Sequence, residues 1–163
     1  MSASGTEACL RTHPTTGRAP VLVVGVGSEL RSDDAVGRRV AESIAERRPP
    51  ERLEVRSVHQ LTPELADAMT DRQLVIVVDA SVGVRTLVVA EVEPIPVAAA
   101  LTHHLDVAAL VRLAGQLGRP PARVVTLAVP AFDLGLGTTL SVPAAAGVRA
   151  AVAEVLSLCD GTA

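Results

Sequence analysis

The stretch that most constrains this chain runs from Val21 to Gly37 and reads VLVVGVGSELRSDDAVG. Three of the four residues in Val21-Leu22-Val23-Val24 are β-branched, and none is polar. Such a short run fits a strand buried on both faces. Gly25 and Gly27 follow, where glycine allows a tight turn and lets another group come close to the backbone. Asp33 and Asp34 then precede Val36, Val40 and Ile44 at helical spacing. Asp33 suits an N-cap and Asp34 the first turn, where the helix dipole favours negative charge. The stretch therefore predicts a strand, a glycine turn and a helix, with two carboxylates at the mouth of the turn. Open parallel sheets bind ligands just outside the carboxyl ends of their strands. Taken alone, an Asp-Asp pair at this place is more often a helix start than a site, so the rest of the chain decides.

A length of 163 residues suggests one domain with a substantial core. That core must be aliphatic, since Phe132 is the only aromatic residue. Without Trp or Tyr the chain has almost no base-stacking platform, and a net charge of -3 gives no basic footprint. Nucleic acid is accordingly excluded as an expected partner. Cys9 and Cys159, near opposite ends, make neither a disulfide framework nor a CxxC metal site, which points to a reducing cytoplasm. Residues 1–20 hold Arg11, His13, Pro14, Arg18 and Pro20 without a long apolar core. They read as a disordered leader, not a signal peptide, with the folded domain over 21–160. No apolar stretch is expected to span a membrane.

Along the chain, Asp34 to Arg48 predicts an amphipathic helix stopped by Pro49 and Pro50. Leu53 to Val58 alternates as a strand with one drier face, and His59 and Gln60 follow it. Leu61 to Met69 predicts a short helix with Thr62 as cap and Pro63 at the first helical position. Leu74 to Val78 is the second strongly apolar strand, ending in Asp79. This alternation indicates a parallel sheet with helical crossovers. Arg85 to Glu93 is another strand, but it follows too soon to be a parallel neighbour, so it should be antiparallel or at an edge. A helix from about Val107 to Leu117, a strand from Val124 to Val129, a glycine-containing loop from Ala131 to Ser141 and a helix from Pro143 to Leu158 complete the chain. The expected fold is a single three-layer α/β/α domain with a twisted, mostly parallel sheet of about five strands and one antiparallel edge strand.

Three chemistry-bearing features then fall at neighbouring places. Asp34 follows the first strand, Asp79 ends the third, and His103 or His104 precedes the helix after the edge strand. In a doubly wound sheet the first and third strands are neighbours where chain order reverses, which would bring the two acids together. Two carboxylates and an imidazole with open positions suit nickel, zinc or iron(II), and the carboxylates could also orient a water. Each residue also has a plainer use: Asp79 as a turn cap, and His103, His104 and His59 as solvated loop residues. A dinucleotide site fails at its third glycine, where Leu30 stands, and the acids would repel a pyrophosphate.

GVGSELRSDDAVGRRVAESI resembles the opening motif of the hydrogenase maturation proteases, roughly GxGNxLxxDDGxGxxV. LVIVVDAS resembles the family's second motif, THHLDVAALVRLAGQLG its histidine segment, and FDLGLGTTLSVPAAAGVRAAV its closing stretch. HQLTPELADAM is similar to a segment found in part of the family. The resemblance implies a twisted sheet with helices on both faces and an aspartic-type endopeptidase. Such an enzyme removes the C-terminal tail of a [NiFe] hydrogenase large-subunit precursor after nickel insertion. It also implies that Asp34, Asp79 and His103 contact the metal, with His104 as the fallback, and that the two acids are the active-site residues. Nickel would come with the precursor, the isolated protein holding it weakly or not at all, and a monomer is expected. Two positions depart from the motif: Ser28 replaces an asparagine and Ala35 a glycine. A non-catalytic module that senses or chaperones a metal-bearing partner, and a small metal hydrolase acting on another peptide, are the competing readings.

Overall fold

A computed structural model of the protein describes residues 18–47, 51–93 and 106–162. It has five strands and four helices in these residues: β1 (Val21–Val26), α1 (Val36–Ala45), β2 (Leu53–Val58), α2 (Leu65–Met69), β3 (Leu74–Ser81), β4 (Val88–Glu91), α3 (Val107–Leu117), β5 (Arg123–Pro130) and α4 (Val142–Asp160). A short 3-10 turn, Ser32–Ala35, leads into α1.

The strands lie in the order β2-β1-β3-β5-β4. The first four of these are mutually parallel, and β4 runs antiparallel to β5 at one edge. Only residues 82–87 join β3 to β4, too few for the helical crossover that a parallel neighbour requires. The edge position and antiparallel direction of this strand therefore follow from its connection, as expected, although the paired part is shorter than Arg85–Glu93.

Every residue of β1 is buried. Val21 and Val23 point into one apolar layer with Val36, Val40, Ile44, Ala151 and Val155, and Leu22, Val24 and Val26 into the other with Leu65, Met69, Leu110 and Ala114. Thus α1 and α4 cover one face of the sheet, and α2 and α3 the other. Period-2 alternation within an all-apolar strand fills both layers at once, which makes a three-layer domain out of aliphatic residues alone.

Three details depart from expectation. First, β3 continues to Ser81, so Asp79 lies within the strand and pairs with Ala128 of β5. The ladder to β5 outlasts the apolar run because backbone pairing does not depend on side-chain polarity. Second, α4 is by length and composition able to cross a membrane. Its apolarity comes largely from alanine and valine, and in this fold Ala144, Gly147, Ala151, Val152 and Val155 form its buried face. Third, Arg18 to Pro20, expected in the leader, are tied to the domain. The Ala19 carbonyl accepts from the buried Arg72, and the Pro20 carbonyl from the N–H of Gln73. Arg72 also pairs with Glu54, clamping the edge of the sheet opposite to the acids. Residues 1–17 lie outside the described residues.

Candidate active site

Because β1 and β3 are neighbours, with Gly25 beside Val78, the chain after β1 and the end of β3 meet at one rim. The glycines make this rim compact. Gly27 has φ of 138°, in the region that disfavours side chains, and a Cβ there would lie 1.7 Å from the Asp34 carbonyl oxygen. At Gly37 a Cβ would meet the carbonyl oxygens of Val26 and Val78 at 2.3 and 2.4 Å. The group that approaches the glycine backbone so closely is thus the chain itself: the start of α1 is pressed onto the ends of β1 and β3.

This packing places Asp34. Its residue is half-buried, and its Oδ2 accepts from the Ser28 N–H at 3.0 Å across the glycine turn. Ser28 also uses its hydroxyl within the turn, accepting from the Leu30 N–H at 3.4 Å. A hydroxyl therefore does serve the turn where the motif has an amide. Asp79 reaches the same rim from β3, with Oδ1 accepting from the Ala80 N–H at 2.7 Å. It keeps a solvent-exposed side. Even so, the surrounding protein pushes its carboxyl above the ordinary aspartate range by desolvation, and the nearby Asp34 charge pushes in the same direction. The Ala80 N–H opposes both. Two like charges that feel one another across a rim form a site that gains from a cation or a shared proton.

Asp33 departs from its expected role. No side chain caps the start of the 3-10 turn or of α1. The Asp33 carboxylate instead bonds to the loop after β5, and the residue is 0% exposed. Its Oδ2 accepts from the N–H groups of Phe132 and Asp133 at 2.9 and 3.0 Å and from the Ser141 hydroxyl at 2.7 Å, and its Oδ1 accepts from the Ser141 N–H at 2.7 Å. The preceding Ser32 has φ of 43°, a left-handed conformation that turns the chain so the acid can point this way. An N-cap would satisfy one or two helix donors, whereas this carboxylate satisfies three backbone N–H groups of the loop after β5, more than capping can offer. Nothing in the local pattern distinguishes the two uses, since the loop donors lie about 100 residues away.

Burial raises the Asp33 pKa, but the hydrogen bonds from Phe132, Ser141 and Asp133 outweigh it and hold the carboxyl below its ordinary value. A group depressed in the folded state contributes stability above its unfolded pKa, near 4, and loses it as pH falls through the folded value. Urea unfolding at a series of pH values should show this loss below about pH 4. Asp33→Asn should be less stable near neutral pH and should lose less on acidification, so a variant with the wild-type slope would contradict the assignment.

The imidazole completing the expected triad cannot be placed: His103 and His104 lie outside the described residues. His59, which follows β2, is exposed on the same edge of the sheet. Among the described residues no group of three or more His, Cys, Asp or Glu side chains is disposed to hold a metal ion. The structure therefore brings together two of the three expected ligands.

No family model matches the chain, and no curated protein does. Solved structures do. A hydrogenase 2 maturation peptidase from a Thaumarchaeota archaeon is 27% identical, with a TM-score of 0.65 over 85% of this chain and 96% of its own. The chain is thus similar, over most of its length, to a [NiFe] hydrogenase maturation protease. An endopeptidase from Escherichia coli known from a solution structure is 26% identical, covering 84% of this chain and 90% of its own at a TM-score of 0.68. The hydrogenase maturating endopeptidase HybD of E. coli shares the fold, with 24% identity, a TM-score of 0.71 and coverage of 87% of this chain and 93% of its own. Each match spans most of both molecules, so the maturation protease fold accounts for the whole described domain, and the likeness supports a hydrolase.

Proposed function

We propose that the protein is an aspartic-type endopeptidase that removes the C-terminal tail of a [NiFe] hydrogenase large-subunit precursor once nickel has been inserted. The observation that carries this reading is the pairing of Asp34 and Asp79 at the rim shared by β1 and β3, close enough for one charge to raise the pKa of the other. The likeness to hydrogenase maturation peptidases supports the reaction class.

In this reading the nickel is cargo of the substrate, and Asp34 and Asp79, with His103 from the segment before α3, recognise it. Carboxylate oxygens and imidazole nitrogen are acceptable donors for such a borderline cation. A cation also relieves the repulsion between the two acids, so the site binds a loaded precursor better than an empty one. With the tail positioned, an ionised carboxylate takes a proton from a water as its oxygen bonds to the scissile carbonyl carbon. The C–N bond then breaks, and the proton passes to the departing amine. Fixing the amide against the water supplies much of the rate, and proton transfer supplies a further part. We place this reaction in the cytoplasm and assign it to a monomer.

The test is the intact mass of the precursor, nickel-loaded and nickel-free, incubated with and without the protein. The expected result is loss of the tail mass only from the loaded precursor in the presence of the protein. Complex formation with no change in mass would replace the endopeptidase by a non-catalytic sensor of the loaded subunit.

A further inference from the structure

Asp33 stands behind the acid pair and not in it. Burying a carboxylate costs several kcal/mol, and well-packed apolar residues often serve stability as well or better. Here all four hydrogen bonds to the buried charge come from one loop. Backbone pairing adds to the grip: Ser32 N–H donates to the Gly137 carbonyl at 2.9 Å, Asp33 N–H to the Asp133 carbonyl at 2.9 Å, and Gly137 N–H to the Leu30 carbonyl at 3.0 Å. The loop after β5 is thereby stitched to the turn that carries Asp34.

This loop displays large apolar side chains beside the exposed Asp133, Thr138 and Thr139. Leu136 is 94% exposed and Phe132 53%; Val142, the first residue of α4, is 83% exposed, and Leu30, joined to the loop through Gly137, 67%. These are four of the eight large apolar side chains exposed among the described residues, so half of them fall on two joined loops and the adjoining first residue of α4. A loop that shows leucine to solvent gains little from burial to offset the entropy of its ordering. Asp33 supplies the ordering instead. A surface ordered before binding avoids that entropic cost at the moment of binding.

We propose that the loop from Phe132 to Ser141, together with Leu30 and the adjoining Val142 of α4, seats an apolar segment of the substrate polypeptide beside Asp34 and Asp79, with Asp33 as the positioning residue that holds the loop. This rests on the endopeptidase reading for the identity of the substrate. The occupant is argued from continuity: the loop begins beside the end of β3, where the Ala131 N–H donates to the Ser81 carbonyl at 3.0 Å, and Asp33, which holds the loop, is next to Asp34, so the loop borders the rim where the scissile bond would sit. The rim also offers carboxylates and apolar groups together, which suits an apolar chain segment approaching with a cationic centre.

The test compares Leu136→Ser, Asp33→Asn and the double variant, reading KM and kcat for cleavage and Kd for the nickel-loaded precursor. Leu136→Ser should raise KM and Kd about tenfold with kcat within about twofold of wild type and an unchanged melting temperature, since it removes uniform binding from an exposed position. Asp33→Asn should raise KM comparably and speed amide hydrogen exchange across 132–141, and the double variant should be no worse than the weaker single. Should Asp33→Asn fail to fold, Ser141→Ala, which removes the hydroxyl donor but keeps the backbone bonds, should give the same pattern in smaller measure. Leu117→Ser, exposed at the opposite edge of the sheet, serves as control and should leave KM unchanged. An unchanged KM and Kd for Leu136→Ser would overturn the proposal, as would self-association abolished by Leu136→Ser without any effect on precursor binding. Fast exchange in Asp33→Asn with an unaltered KM would remove the positioning role. If wild type binds without cleaving, the endopeptidase reading falls while the Kd comparison still judges the surface. If it does neither, both fall.

Discussion

Asp34→Asn and Asp79→Asn should each lower kcat/KM for precursor cleavage by about 10²–10⁴, the range associated with losing a positioned acid or base. Both substitutions keep the shape of the side chain. The amide introduced at position 34 would still offer an oxygen to the Ser28 N–H, and the one at position 79 an oxygen to the Ala80 N–H, so the glycine turn and the end of β3 should survive. The effect on stability should run the other way from the effect on activity. The fold raises the Asp79 pKa through desolvation first and the Asp34 charge second, so it disfavours the ionised form. Removing either charge relieves that conflict, and thermal unfolding of the isolated protein should show a melting temperature equal to or above that of wild type. Loss of cleavage with retained stability is the signature of a site kept at some cost to the fold. The two losses should not multiply in the double variant, because the acids act as one unit. Cleavage at wild-type rates by both single variants would remove these residues from the mechanism.

The largest expected loss of stability lies in the glycines that bring this rim together. Gly27→Ala places a methyl 1.7 Å from the Asp34 carbonyl oxygen at a φ of 138°, and Gly37→Ala places one 2.3–2.4 Å from the carbonyl oxygens of Val26 and Val78. In each case the obstacle is backbone, which cannot swing aside as a flexible side chain does. Overpacking and backbone strain together should cost roughly 3–5 kcal/mol. For a chain of this size that corresponds to a fall of about 10–15 °C in melting temperature. Surviving folded protein should also show reduced cleavage, since relief of either clash requires the start of α1, and Asp34 with it, to move away from β3. Gly83→Ala, where an added Cβ would have nothing closer than the Ser81 hydroxyl at 3.8 Å, should be nearly neutral and sets the comparison. Melting temperatures within about 3 °C of wild type for the Gly27 and Gly37 variants would show that α1 does not bear on the strand ends as described.

These glycines show how far local pattern reaches. Their need for room was legible, because only a turn or a close approach explains Gly25-x-Gly27 directly after a buried strand. The source of the close approach was not. A pattern read along the chain admits a ligand as readily as the chain's own helix, and only the fold shows that the Asp34 carbonyl and Gly37 fill the space. The same holds for the acid doublet. Both carboxylates have identical local prospects at a helix start, and sequence spacing assigned the cap to Asp33. In the structure Asp34 stays with the glycine turn, and Asp33 serves a loop some 100 residues further on.

The layered fold, by contrast, was written into hydrophobic periodicity and connection length. All-apolar runs at Val21–Val24 and Leu74–Val78 can only be strands covered on both sides, the intervening helical patterns supply the covers, and the short link before Val88 forbids a parallel neighbour. Each of these is decided by residues near one another in the chain. Strand order, the meeting of Asp34 with Asp79 and the burial of Asp33 were decided by contacts between distant segments, whose energies depend on which surfaces come together. A one-dimensional pattern records what a segment must bury, but the partner that buries it is selected only when the whole core packs.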